Sequence, residues 1–150
     1  MTLQSTKFWD FSSQLYGKDG VAEICLDLQD KLEVDVNLLL FCYWVAHFKN
    51  IPSESEWTRI LEFSKSWQKE IVQPLRNARK SITEQLKNRP SNPDYAELKE
   101  QLKSNELDAE RIQQETIQSM LGIMAADSQP FSIEDAMLNL SYYFSKLAIT

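Results

Sequence analysis

Glycine and proline are scarce, with 3 and 5 of 150 residues. An all-β protein needs many tight turns, and such turns draw heavily on these two residue types. Their scarcity therefore argues against an all-β fold. Cysteine is also scarce, because Cys25 and Cys42 are the only two and both lie inside apolar runs. This predicts two reduced, packed thiols rather than a disulfide framework or a cysteine metal site.

Positive charge is in deficit, with 16 Lys and Arg against 22 Asp and Glu, a net charge of −6. Nucleic-acid binding depends on neutralising phosphates with a basic surface, so the balance argues against nucleic acid as a partner. The first seven residues contain no apolar core of a signal peptide. The most apolar stretch, residues 36–48, is too short to span a bilayer. These features predict a cytoplasmic protein without integral membrane insertion.

Helical periodicity of the apolar residues predicts an all-α fold, an irregular bundle of about six helices forming a single domain over residues 1–150. The predicted helices cover approximately residues 5–16, 19–32, 35–48, 53–88, 94–124 and 132–148. The third is apolar nearly all round, so we expect the other helices to enclose it.

Polar residues with capping character mark three of the helix starts. Asp35 is a candidate N-cap for the third helix, and Ser53 with Glu56 matches a capping box for the fourth. Ser132 is a candidate N-cap for the last helix, with Asp135 three residues on.

The fourth and fifth helices are separated by residues 89–93, the clearest break in the chain, and together they predict a long helical hairpin. Pro74 lies inside the fourth helix and predicts a kink there, since proline removes a backbone donor. For the last helix, the spacing of the apolar residues predicts a stripe that faces the core. This stripe consists of Ile133, Met137, Leu140, Phe144 and Leu147.

Two blocks of the first half combine aromatic, acidic and apolar residues. The first block consists of residues 8–12, 15–17, 20–21, 25–26, 28–29 and 35–44, and the second of Trp67, residues 74–76, Arg79 and Lys80. Over approximately residues 8–82 the chain resembles a family of small uncharacterised proteobacterial proteins, a domain of unknown function. The resemblance implies a bacterial cytoplasmic origin and a helical fold, and it carries no activity.

The fourth helix is basic although the chain is acidic. Residues 59–89 hold eight Lys and Arg against three Glu, a net charge of +5, which leaves −11 for the rest of the chain. Either this charge is neutralised by the acidic helices, or it forms an anion-binding or partner-binding site at Arg76, Arg79 and Lys80. Arg76 and Arg79 are three residues apart and share a helix face, where they could hold a carboxylate or phosphate.

Several other polar residues have a structural and a functional interpretation. Glu23, Asp27 and Asp30 share one face and could hold Mg²⁺, but no second acidic motif accompanies them, which favours a solvated face. His47 is the only histidine and is predicted to be structural. Asn37 is predicted to make a buried polar contact, for example with the first helix.

Four tryptophans are predicted to pack the helices together. Trp9 and Tyr16 lie off the apolar stripe of the first helix, which makes them candidate interface residues.

The sequence shows no glycine-rich phosphate loop, metal-ligand spacing or nucleophile–base pair. We therefore expect no cofactor, and a non-enzymatic protein-interaction or regulatory domain that binds another protein or itself, as in a homo-oligomer. The alternative is a binder of an anionic or lipid-like small molecule between the third and fourth helices, with Arg76 and Arg79 at the mouth of the pocket.

Overall fold

The computed structural model describes residues 7–49, 51–122 and 127–149. Its helices are α1 (Phe8–Tyr16), α2 (Val21–Leu32), α3 (Val36–Val45), α4 (Glu54–Trp67), a π-helical segment (Gln68–Val72), α5 (Gln73–Asn88), α6 (Pro93–Ser119) and α7 (Ile133–Ile149). The run from α4 to α5 is continuous and corresponds to the predicted fourth helix. Counted in this way, these residues form six helices and no strand, which confirms the all-α prediction.

The three predicted caps are present. The Asp35 carboxylate accepts the Asn37 backbone N–H at 2.9 Å. Ser53 and Glu56 form a reciprocal capping box, with bonds of 2.9 and 3.1 Å. The Asp135 N–H donates to the Ser132 hydroxyl at 3.1 Å. Each cap satisfies a backbone donor that the first turn of a helix leaves without a partner, and it therefore fixes where the helix begins.

Pro74 explains the π-helical segment that precedes it. Proline has no N–H, so the regular hydrogen bond to the Glu70 carbonyl cannot form. The Gln73 N–H instead bonds the carbonyl of Gln68, five residues back, which is the π-helical pattern. A wider, π-helical turn thus precedes Pro74, while the kink predicted there stays a prediction.

The chain divides into two compact units. The core unit comprises Met1–Trp57 and Gln114–Thr150, and the hairpin unit comprises Thr58–Gln113. The prediction of a single domain over residues 1–150 therefore stays a prediction.

The core unit is built around α3, which buries eight of its ten residues. Aromatic rings contact each other around it. Phe8 of α1 stacks on Trp44 with ring centroids 5.0 Å apart, and Trp57 meets Phe41 edge to face at 5.3 Å. The enclosed central helix predicted from its all-round apolarity is therefore confirmed, and its aromatic pairs add packing energy to the area buried.

The C-terminal end of α3 presents carbonyls that its own helix does not satisfy. The Cys42 carbonyl accepts the side-chain amide of Asn139 on α7 at 3.3 Å. The Ala46 carbonyl accepts the Ser132 N–H at 3.2 Å, just before α7 begins. At the other end of α3, the Tyr143 hydroxyl accepts the Asp35 N–H at 2.8 Å. These contacts show that α3 and α7 run antiparallel.

This arrangement contradicts the core-facing stripe predicted for α7. The buried residues of α7 are Ala136, Asn139 and Tyr143. Ile133, Met137 and Phe144 of the predicted stripe are exposed, by 53%, 54% and 39%. The physical reason is that Asn139 and Tyr143 supply the polar atoms that α3 needs, and this turns the apolar side of α7 outward.

We predict that Tyr143→Phe lowers the free energy of unfolding by about 1–2 kcal/mol, because it removes the hydroxyl that accepts from the partly buried Asp35 N–H. Urea denaturation measures the change. Tyr142→Phe is the matched control, since the Tyr142 hydroxyl is buried without a partner among the described residues, and its loss should be close to neutral. Equal effects of the two substitutions would contradict the role given to the Tyr143 hydroxyl.

Candidate functional site

In the hairpin unit, α4, the π-helical segment and α5 run antiparallel to α6, and polar side chains lie along the seam. The Trp67 indole N–H donates to the Ala109 carbonyl at 2.8 Å, and the Gln68 amide donates to Gln113 at 2.8 Å. No residue of α5 is buried. The hairpin predicted from the break at residues 89–93 is confirmed, and polar contacts hold its register.

The predicted arginine site lies in this seam as an alternating chain of charges. Arg76 Nε donates to Glu106 Oε2 at 3.0 Å, and its Nη2 donates to Glu110 Oε1 at 3.2 Å. Arg79 Nε donates to the other oxygen of Glu106. We call these four residues the arginine–glutamate network. The two arginines are three residues apart on α5 and the two glutamates four apart on α6, so each pair shares a helix face.

The arginine–glutamate network is largely buried, unlike an ordinary ion pair on the protein surface. The side chains of Glu106 and Arg76 are 10% and 11% exposed. Burial alone would raise the pKa of Glu106, but the hydrogen bonds from Arg79 and Arg76 outweigh it and hold the pKa below its ordinary value. The bond to Glu106 also raises the pKa of Arg79. Glu106 and Arg79 therefore stay charged near neutral pH, and their opposite charges compensate each other.

The three residues of the predicted anion-binding site have different surroundings. Arg76 and Arg79 bind carboxylates of their own unit, whereas Lys80 is exposed. Of the two interpretations left open for the basic helix, internal neutralisation describes these two arginines. Sequence reasoning missed Glu106, although a signal was present: Arg76 and Glu106 each lie fifteen residues from Ser91 in the turn.

The candidate interface residues on α1 are partly accessible. Tyr16 is 37% exposed and Trp9 is half-buried. The predicted buried polar contact of Asn37 is present, since the Gln114 amide donates to Asn37 Oδ1 at 2.8 Å. A contact of Asn37 with α1 stays a prediction. Nothing in the structure tests whether Trp9 and Tyr16 form an interface, and this stays a prediction.

The other titratable candidates are set apart from one another. Glu23, Asp27 and Asp30 are exposed on α2, where Asp27 pairs with Lys31 at 3.3 Å. Over residues 7–49, 51–122 and 127–149, no group of three or more potential metal-ligating side chains comes together. Cys25 and Cys42 are buried as free thiols, as expected, and burial raises the pKa of both.

His47 lies in the interior of the core unit, 2% exposed. Its ring centroid is 5.2 Å from that of Phe11 and 5.2 Å from that of Phe131. Its Nδ1 atom is buried without a hydrogen-bond partner among the described residues. This burial lowers the pKa of His47 and favours the neutral imidazole.

The fold and these contacts define an all-α protein with an enclosed apolar helix and a polar, ion-paired hairpin. A family model described as "Protein of unknown function (DUF2390)" matches residues 7–117, and the chain belongs to this family. The family assignment agrees with the resemblance to a domain of unknown function; the proteobacterial origin stays a prediction. No curated protein and no solved structure matches the chain. None of the described helices has the length and apolarity to cross a membrane.

We predict that Glu106→Gln lowers the free energy of unfolding by about 3 kcal/mol, because it leaves two largely buried arginines without their shared carboxylate. Urea denaturation measures this. Glu100→Gln, an exposed carboxylate on the same helix, is the control and should change stability by less than about 0.5 kcal/mol.

Wild type and Glu106→Gln also test how the free energy of unfolding depends on pH. Because the folded-state pKa of Glu106 is lowered, its contribution is complete above the ordinary value of 4.5 and is lost as pH falls through the lowered pKa. The difference in the free energy of unfolding between wild type and Glu106→Gln should therefore become smaller at acidic pH. A difference that stays constant in acid would argue against the ionised network.

We predict a second, separate pH effect from His47. Its pKa is lower in the folded state, so the unfolded chain takes up the proton first as pH falls. Stability is therefore complete above about pH 6.5 and declines below it. His47→Phe, which keeps a ring between Phe11 and Phe131, should flatten this decline, while Glu106→Gln should leave it unchanged. A decline of the same size in His47→Phe would assign it to another group.

Proposed function

We propose that this chain is a non-enzymatic protein-interaction domain whose binding surface lies on the core unit. The observation that carries the proposal is the exposure of seven large apolar side chains on two helices, α2 and α7. Each is at least 39% exposed: Ile24, Leu26, Leu32, Ile133, Met137, Leu138 and Phe144.

Isolated exposed leucines are ordinary on protein surfaces, whereas apolar side chains grouped on one face are characteristic of interaction sites. Here the grouping is pronounced, since α2 buries only Cys25 and α7 turns its apolar stripe away from the core. A partner that covers these faces would gain the hydrophobic free energy that folding of the core unit leaves unused.

The alternative of an anionic or lipid-like small molecule depended on Arg76 and Arg79 as the anion-binding pair. Both arginines bind Glu106, so an incoming anion would have to displace a carboxylate that is 10% exposed and holds two charge-assisted hydrogen bonds. This cost favours the protein-interaction proposal.

Isolation of the untagged protein from cells that express it naturally tests the proposal, with light scattering and native mass spectrometry of the product. We expect a complex of fixed stoichiometry with another protein or a second copy. In the double variant Ile24→Ser with Met137→Ser the complex should be lost, while Leu98→Ser with Leu107→Ser on the hairpin unit serves as control. A monomer with no associated protein in every preparation would overturn the proposal.

A further inference from the structure

The outward face of α7 is apolar over about three helical turns. Ile133, Met137 and Phe144 repeat at spacings of four and seven residues, so they form one stripe about 17 Å long. Leu138 lies on the same outward side and is 58% exposed. This spacing of anchors is the one that a helix uses when it packs against another helix or into a groove.

An aromatic pair adjoins the N-terminal end of this stripe. The ring of Tyr43, itself 37% exposed, stacks on that of Phe131 with centroids 6.2 Å apart and planes 16° apart. Phe131 precedes Ile133 by two residues, and Tyr43 follows Cys42, whose carbonyl binds Asn139 of α7. The stripe and the aromatic pair together form what we call the α7 face.

Charged residues are few on the α7 face itself. Asp135 accepts a hydrogen bond from the Gln129 amide at 3.1 Å, and Lys146 lies over the Tyr142 ring at 5.2 Å. Small hydroxyl side chains, Ser141 and Ser145, occupy the exposed positions between the apolar ones. A face of this composition resembles the charge-depleted centre of a protein interface.

The N-terminal end of the α7 face carries negative charge, because Glu134 is exposed in the first turn of α7. At the other end, the Asp35 backbone bonds the hydroxyl of Tyr143, the neighbour of Phe144, and Glu33 lies two residues away in the chain. Lys146 in the last turn of α7 makes this end mixed in charge. Two copies packed through the α7 face would still bring two acidic core units together, which costs free energy.

We propose that the α7 face docks a basic amphipathic helix of another protein, with apolar side chains along its centre and Lys or Arg at the end that meets Glu134. The charge of the core unit supports this choice, since it holds five Lys and Arg against thirteen Asp and Glu, a net charge of −8. The inference rests on the proposed interaction function and names the surface and the chemical class of its partner.

The test uses purified full-length protein and two synthetic helical peptides labelled with fluorescein. One peptide consists of Leu and Lys, with Leu at positions i, i+3, i+4 and i+7, and the other has Glu in place of Lys. We expect the Leu/Lys peptide to raise the fluorescence anisotropy at about tenfold lower protein concentration than the Leu/Glu peptide, with a difference that shrinks as salt is added.

Two sets of variants locate the binding. Met137→Ser with Phe144→Ser should weaken Leu/Lys binding by about tenfold or more, as loss of central apolar anchors does. Leu98→Ser with Leu107→Ser, two comparably exposed residues of α6, should leave it unchanged. Glu134→Lys should reduce the difference in affinity between the Leu/Lys and the Leu/Glu peptide. Circular dichroism melts confirm that each variant is folded.

Equal affinity for both peptides, or affinity that the α7 substitutions leave unchanged, would overturn the inference. Self-association in sedimentation that disappears in the Met137 and Phe144 variant would overturn it in favour of a second copy. A natural complex that survives these substitutions would refute the α7 face and leave the interaction function intact. Absence of any natural complex of the wild-type protein would refute the function itself.

Discussion

The constraint on which the core unit depends is that α3 has no polar side. A helix that is apolar all round cannot lie on a surface, so α1, α2 and α7 each contribute a face to it. The carbonyls at its C-terminal end also need donors, because no water reaches them. Asn139 and the backbone of Ser132 supply these donors, and Tyr143 accepts from the N-terminal end. The orientation of α7, and with it the exposed α7 face, follows from this requirement.

The hairpin unit is held together by different interactions. Its seam is held by indole, amide and ion-pair contacts. Charged and amide groups need defined partners, whereas apolar contacts tolerate sliding of one helix along another. The arginine–glutamate network therefore contributes more to the register of the two helices than to net stability, since burying charges is costly.

Features encoded by a few neighbouring residues were predictable from the sequence. Asp35, Ser53 and Ser132 begin helices as predicted, because a cap needs only a side chain and the next three residues. The hairpin followed from its turn at residues 89–93, and the enclosure of α3 from its composition.

Features that depend on partners distant in sequence were missed or wrong. Arg76 and Arg79 were identified without Glu106, and Asn37 was identified without Gln114. The core-facing side of α7 was predicted from apolarity alone, and that prediction was wrong. Prediction from apolar periodicity assumes that the most apolar side of a helix is buried. This assumption fails where a neighbouring helix needs hydrogen-bond partners more than contact area.

The pairing of α3 with α7 also sets an order on how the protein is made. The contacts between α3 and α7 join residues about one hundred positions apart, such as Asn139 with Cys42. On the ribosome, α3 emerges long before α7, so its apolar side chains lack part of their cover while the intervening hairpin is synthesised. The hairpin contacts are closer in sequence and can form earlier. The growing chain therefore carries an unprotected apolar segment through most of its synthesis, a period in which chaperone binding and aggregation compete with folding.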